Sequence, residues 1–285
     1  MLAILLALFS AAGYGSSDYA GGLAARRAGV IRVTIAAEGV SAVLLILILP
    51  LAGLAAPSRA ALAWGAAAGL GEAIGALALF AGYRNAEFSV AGPLSAVGSA
   101  GFSVLAGLLS GERPGALAMI GIALALPAII AVSASPAASG RAGSRHRAAG
   151  VAWGLLAGAS FALLFIGLNR AGARSGLWPV AASQVAAVVA VTCLGALIKE
   201  ARRPLRNVSW LAVLTGVTGG AGELLYFYAT HAGLLAVTAV LTSLYPAVTI
   251  VLARVLLGER LTVARLTGLC LAGASVALIA AAGAG

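Results

Sequence analysis

Ten apolar runs, each close to the length that crosses a lipid hydrocarbon core, follow one another along this chain with only short Arg-, Pro- or Gly-bearing punctuation between them. A hydrocarbon core about 30 Å thick takes roughly 20 helical residues to cross. The runs fall at 2–24, 33–54, 61–83, 88–109, 115–134, 150–169, 179–198, 208–230, 234–257 and 263–283. They are continuous and rich in Leu, Ala and Gly, without the in/out alternation of a barrel strand, so a helical bundle is the way to satisfy their backbone in lipid. With 62% hydrophobic and 9% charged residues and a mean hydropathy of +1.07, the chain has too little polar surface to cover a water-soluble globule of its size. The fold class expected is an all-α integral membrane protein of ten transmembrane helices, with no soluble domain. The opening "MLAILLALF" has no preceding positive charge and reads as a first membrane helix, not a cleaved signal.

The longest polar stretch, "SASPAASGRAGSRHRAA" at 133–149, reads as a flexible linker and divides the chain near its middle. It gives two five-span halves, 1–134 and 150–285, joined by 135–149. The formal charge of +10 would point to nucleic acid in a soluble protein; here its distribution between loops decides its meaning. Ten spans put alternate loops on opposite faces. One face receives only Arg59, Arg113, Arg170 and Arg174, and the other receives the remaining 14 of the 18 basic residues. The richer face is cytoplasmic by the positive-inside rule, which places both termini outside a bacterial-type inner membrane. Nucleic acid is excluded as a partner. The expected partners are a small-molecule substrate and the lipid bilayer, with a homodimer as the candidate assembly.

"SGER" at 110–113 returns as "LGER" at 257–260. Laid over itself at that shift of 147, the chain keeps register well beyond the motif: Val104-Leu105-Ala106 falls on Val251-Leu252-Ala253, Gly111-Glu112-Arg113 on Gly258-Glu259-Arg260, and Gly121 on Gly268. Five spans per half is an odd number, so the second half enters the membrane upside down. That is an inverted-topology repeat, an architecture of secondary transporters whose site lies near the midplane between the halves. The GER turns themselves lie on opposite faces. Glycine can end a helix in a left-handed cap, and Glu with Arg adds no net charge, so the motif reads as a hairpin connector.

The stretches "AGPLSAVGSAGFSVLAGLLSGERPGALAMIGIALAL" and "TAVLTSLYPAVTIVLARVLLGERLTVARLTGLCLAGASVAL" resemble the fourth-and-fifth-helix segments of the two EamA repeats of the drug/metabolite transporter superfamily. "YGSSDYAGGLAARR" at 14–27 resembles the first helix of its bacterial members. The resemblance implies a ten-helix exporter of small metabolites, with spans 1, 3 and 4 and spans 6, 8 and 9 around a central cavity. It implies no particular substrate, since the superfamily covers amino acids, other metabolites, drugs and nucleotide sugars. The outside placement of the termini departs from several ten-helix relatives with cytoplasmic ends.

Of eight acidic residues, Asp18, Glu38, Glu72 and Glu223 fall inside expected spans, with no basic residue near the middle of any span to neutralise them. A charge at membrane depth costs about 2.5–3.5 kcal/mol on insertion scales, so such a group normally faces a cavity or a partner. The repeat carries position 72 onto 219, and Glu223 is one turn further along the same face. Two carboxyls therefore approach from symmetry-related spans 3 and 8, where reversible protonation could couple transport to a proton gradient. Tyr226 is on Glu223's face, and a carboxylate beside an aromatic ring can receive a cation; ordinary aromatic packing is the alternative. Thr238, Thr242, Tyr245 and Thr249 form one stripe on span 9, and Ser95 falls on Thr242 under the repeat. Such stripes line a path or bond across helices. Pro93 and Pro246 break or kink their spans and free carbonyls.

Asp18 is a candidate cation or proton site, or an interfacial residue. Glu38, Asn169 and Gln184 carry weaker signals, and Gln184, falling on Ala37 under the repeat, reads as a contact between halves or a site. Cys193 and Cys270 read as small apolar packing residues. No Walker loop, HExxH or coherent Ser/His/Asp set is present, and the two histidines, His146 and His231, fall in or at loops. No enzyme activity, metal or cofactor is implied. The function expected is a secondary-active exporter of an amino acid or similar metabolite, working by alternating access with candidate proton coupling; an uncoupled facilitator, a drug exporter and a lipid-handling or accessory membrane protein are the alternatives.

Overall fold

A computed structural model describes residues 1–52, 56–85, 88–132, 141–197, 210–257 and 262–282. These residues contain helices and no strand. In chain order the α-helices are α1 (Leu2–Ala28), α2 (Val30–Ile48), α3 (Arg59–Asn85), α4 (Phe88–Leu109), α5 (Ala116–Val132), α6 (Arg141–Ala171), α7 (Trp178–Leu197), α8 (Trp210–Ala232), α9 (Leu235–Thr242), α10 (Tyr245–Leu257) and α11 (Val263–Ala282). α9 and α10 are the two pieces of the ninth apolar run, so the eleven helices among the described residues correspond to the ten apolar runs. Seven stretches among them, counting α9 with α10 as one, are long and apolar enough to cross a membrane, and α5 is a shorter apolar helix. The remaining two, α1 and α8, carry Asp18 and Glu223.

Two boundaries differ from the sequence reading. α6 begins at Arg141, inside the segment read as a linker; Arg and Ala favour helix, and no proline follows position 140 there to stop it. The ninth run breaks after Thr242. Pro246 has no N–H to give the Thr242 carbonyl, and its ring crowds that carbonyl. The chain turns instead through Ser243 N–H to Ala239 O at 2.8 Å and Ala247 N–H to Leu244 O at 2.9 Å. Pro93 does not have this effect, for α4 runs on through it.

Small residues set the helix contacts. α1 lies along α8, and α3 lies between α6 and α7. A Cβ on Gly13 would come within 2.8 Å of the Thr218 carbonyl and 2.9 Å of Gly222 Cα. Ser10 Oγ donates to Gly222 O at 2.7 Å, and Ser17 Oγ to Thr215 O at 3.0 Å, so side-chain bonds reinforce the α1–α8 approach. On α3, Gly65 and Gly69 press against the Pro179 and Ser183 carbonyls of α7 too closely to admit a Cβ. Outside, large apolar side chains such as Leu109, Leu197, Val255 and Val263 are exposed. Such a surface suits lipid and not water. Cys193 and Cys270 belong to this outer surface as free thiols, which corrects the expectation that they pack inside.

The first GER turn ends α4 as the glycine argument requires. Gly111 has φ +93°, its N–H bonds Leu108 O at 3.0 Å, and Glu112 N–H bonds Gly107 O at 3.0 Å, which is a Schellman closure. Glu112 does more than connect. Its Oε1 accepts the Leu235 N–H at 2.7 Å and its Oε2 the Ala236 N–H at 2.9 Å. Those are first-turn amides of α9, whose own N-cap, Leu234, has no side-chain acceptor to offer. Nearby, Arg170 donates to Ser110 Oγ and Asn169 Nδ2 to Thr230 Oγ1 at 2.9 Å, tying α4, α6 and α8 together at this end of the bundle. The second GER copy, at 258–260, lies outside the described residues.

Candidate functional site

All four intramembrane acids are buried: Asp18 on α1, Glu38 on α2, Glu72 on α3 and Glu223 on α8. The glycine contacts explain how they meet. The Gly13–Gly222 approach sets α1 directly beside the residue preceding Glu223. The Gly69–Ser183 contact lies one turn from Glu72 and one residue from Gln184. Gln184 of α7 thereby reaches between the two glutamates, and its Nε2 donates to Glu72 Oε2 at 2.9 Å and also to Glu223 Oε2. One amide group bridges two carboxyls that are 151 positions apart in the chain. Glu223 Oε1 and Gln184 Oε1 are buried and have no hydrogen-bond partner.

Beside this bridge is a narrow cleft of about 40 Å³, lined by Tyr14 and Asp18 of α1, Glu38 and Ser41 of α2, Glu72 and Phe80 of α3, Phe161 of α6 and Thr215, Gly216, Gly219 and Gly220 of α8, among others. A second, smaller cleft of about 20 Å³ shares Tyr14, Asp18 and Phe161 with it and adds Phe165 of α6 and Tyr245 of α10. Among the described residues, no Lys, Arg or His lines either one. Tyr14 Oη, Asp18 Oδ2 and Ser41 Oγ are buried there without a partner. Buried polar groups are normally satisfied, so several orphans around one space mark a place where a ligand or water can complete them. Among the described residues no group of three or more His, Cys, Asp or Glu side chains could hold a metal ion.

The structure separates the residues picked from the sequence into three sets. Glu72 and Glu223 come together through Gln184. Asp18 and Tyr245 line the clefts, and Glu38, a weak signal in the sequence, lines the larger one. Tyr226, Ser95 and Thr242 have structural partners. Tyr226 stacks on Phe165 with centroids 4.3 Å apart and donates its hydroxyl to Phe165 O at 3.3 Å. Ser95 Oγ accepts the Tyr245 hydroxyl at 2.9 Å, tying α4 to α10. Thr242 and Thr249 donate to the Ala7 and Gly15 carbonyls of α1 at 3.4 and 3.0 Å, so the stripe bonds across helices. The cleft walls come from α1, α2, α3, α6, α8 and α10. α2 thus takes the place that the resemblance gives to the fourth span. The signal that could have found Gln184 is its rarity: it is the chain's single glutamine, in mid-span.

Residues 148–281, close to half of the chain, match the model of the EamA-like transporter family. No curated protein matches the chain in sequence. A solved crystal structure shares the fold, with a TM-score of 0.73 and 17% sequence identity over 97% of this chain and 95% of its own. In this multi-pass helical protein, residues 148–281 form a domain of the EamA-like transporter family, part of the drug/metabolite transporter superfamily.

Proposed function

We propose that the protein is a secondary-active transporter that moves a small metabolite, an amino acid or similar, outward across the inner membrane, with proton exchange at Glu72 and Glu223. The observation that carries this reading is the bridge: one Gln184 amide held between two carboxyls, beside a cleft with no basic side chain. Two close carboxylates that both ionise repel one another, and a shared proton removes that cost. A proton on the bridge and a cargo in the cleft beside it therefore act on one negative field, which is the elementary requirement for exchange.

Alternating access follows from an inverted repeat, and the helix starts support one. α5 and α11 begin at Ala116 and Val263, 147 residues apart, the register of the GER motif. One half rocking against the other around a fixed midplane site is how such repeats open to each face in turn. The basic loops put the cytoplasm on the face of the α1–α2 and α3–α4 connections and both termini outside.

The test is metabolite efflux from proteoliposomes holding the purified protein, with and without an imposed pH gradient, against empty liposomes. Gradient-driven efflux of one or more cargoes is the expected result. Efflux that ignores the gradient makes the protein a facilitator, and no flux of any cargo contradicts the transport reading. A reporter fused to the C-terminus gives an external signal if the charge count sets the topology, and a cytoplasmic signal reverses it.

A further inference from the structure

The bridge occupies Glu72 and Glu223 and leaves Asp18 without a role. Asp18 is 7% exposed. It lines both clefts, and its Oδ2 has no hydrogen-bond partner. The Tyr83 hydroxyl is within hydrogen-bonding reach of its carboxyl and fixes its orientation. Around it stand Tyr14, Phe161, Phe165 and Tyr245. Among the described residues, the titratable groups on the walls are carboxyls and phenols only: Asp18, Glu38, Glu72, Tyr14 and Tyr245.

A carboxylate with a vacant oxygen, walled by aromatic rings and with no internal cation, has the chemistry that receives an ammonium group. The charge pairs in a dry site, the N–H donors fill the vacant acceptors, and the ring faces add cation–π attraction. The rest of the cargo meets aromatic and aliphatic walls. A free carboxylate on the same molecule would face Glu38 and Glu72 with no basic side chain on the walls to receive it. We infer that Asp18, walled by Tyr14, Phe161, Phe165 and Tyr245, is the ammonium-receiving subsite of the cavity. The cargo class is then a small organic monoamine with an apolar or aromatic body and no free carboxylate, one of the similar metabolites of the proposed function and not an amino acid itself. This rests on the cavity being the cargo site and divides the acids by task, with Asp18 holding the cargo and the Glu72–Gln184–Glu223 bridge holding the proton.

Binding to the purified full chain in nanodiscs, followed by titration calorimetry without any gradient, tests it with three probes of one size: phenethylammonium, neutral 2-phenylethanol and anionic 3-phenylpropionate. The ammonium is expected to bind at least about tenfold more tightly than the alcohol, with no binding of the anion. Asp18→Asn should bring the ammonium down to the affinity of the alcohol, while Cys193→Ser on the outer surface keeps it. Equal affinities for ammonium and alcohol on the unaltered protein overturn the inference, and need no variant to fold. Unchanged ammonium affinity in Asp18→Asn overturns it as well. Amine binding without flux of any cargo defeats the transport reading and leaves this one standing; gradient-driven flux with no preference for the amine does the reverse.

Discussion

Glu112 and Glu223 are the same residue put to different uses. Glu112, half-buried in the turn after α4, accepts the Leu235 amide on one oxygen and the Ala236 amide on the other, so both oxygens are engaged by backbone donors. Glu223, fully buried in α8, shares one Gln184 amide with Glu72 and keeps Oε1 without a partner. A carboxylate whose acceptors are filled by fixed backbone donors is part of the frame. One whose acceptors are half-filled at membrane depth keeps a cost that only a proton, a cation or water can relieve. The distinction between frame and site therefore lies in the partners, not in the residue type or its recurrence in a motif.

Removing the charge on each side of this comparison should separate the two roles. Glu72→Gln and Glu223→Gln should each bring gradient-driven efflux down to that of empty liposomes while the protein remains folded, and Glu112→Gln should leave most of it; retained driven efflux in both bridge variants would break the comparison. Next in size is the contact that positions Gln184. Gly69→Val drives a side chain into the Ser183 carbonyl, and such overpacking typically costs about 1–3 kcal/mol. The expected result is a clear drop in the melting temperature of the detergent-solubilised protein. Gly39→Ala, where a Cβ meets nothing within 4 Å, should show none.

The frame carboxylate comes third. Glu112→Ala leaves two first-turn amides of α9 uncapped and should destabilise the protein by about 0.5–2 kcal/mol, the range for lost N-caps. A melting temperature equal to that of the native protein would mean that the cap adds nothing. Smallest is the threonine stripe: Thr249→Val removes one interhelical bond to Gly15 O, worth about 0.6 kcal/mol on average inside membranes. Its transport should be intact. A loss of transport in folded Thr249→Val would make the stripe part of the path.

Much of this was legible in the sequence because lipid imposes a one-dimensional rule. Apolar length gave the spans, and the GER register paired Glu72 with the neighbourhood of Glu223. What the register does not contain is a third helix. Gln184 enters between the glutamates because Gly65 and Gly69 admit the Pro179 and Ser183 carbonyls of α7, over a hundred residues away, and a repeat shift relates equivalent positions without saying what packs between them. Tyr226 shows the converse. Its spacing from Glu223 is right for a shared receptor, yet the ring found Phe165 of α6, a contact set by packing and not by helical periodicity. The Glu112 cap had a readable trace: α9 starts after "AGL", with no residue able to cap its own amides, so an acceptor had to come from elsewhere.

The central claim, that the bridged pair carries the proton while Glu112 only holds the frame, is tested most directly by proton flux. Proteoliposomes loaded with a pH-sensitive dye and a transported cargo should show proton movement linked to cargo efflux for the native protein and for Glu112→Gln, and none for Glu223→Gln. Proton movement that persists in folded Glu223→Gln and Glu72→Gln, at the native ratio to cargo, would contradict the account.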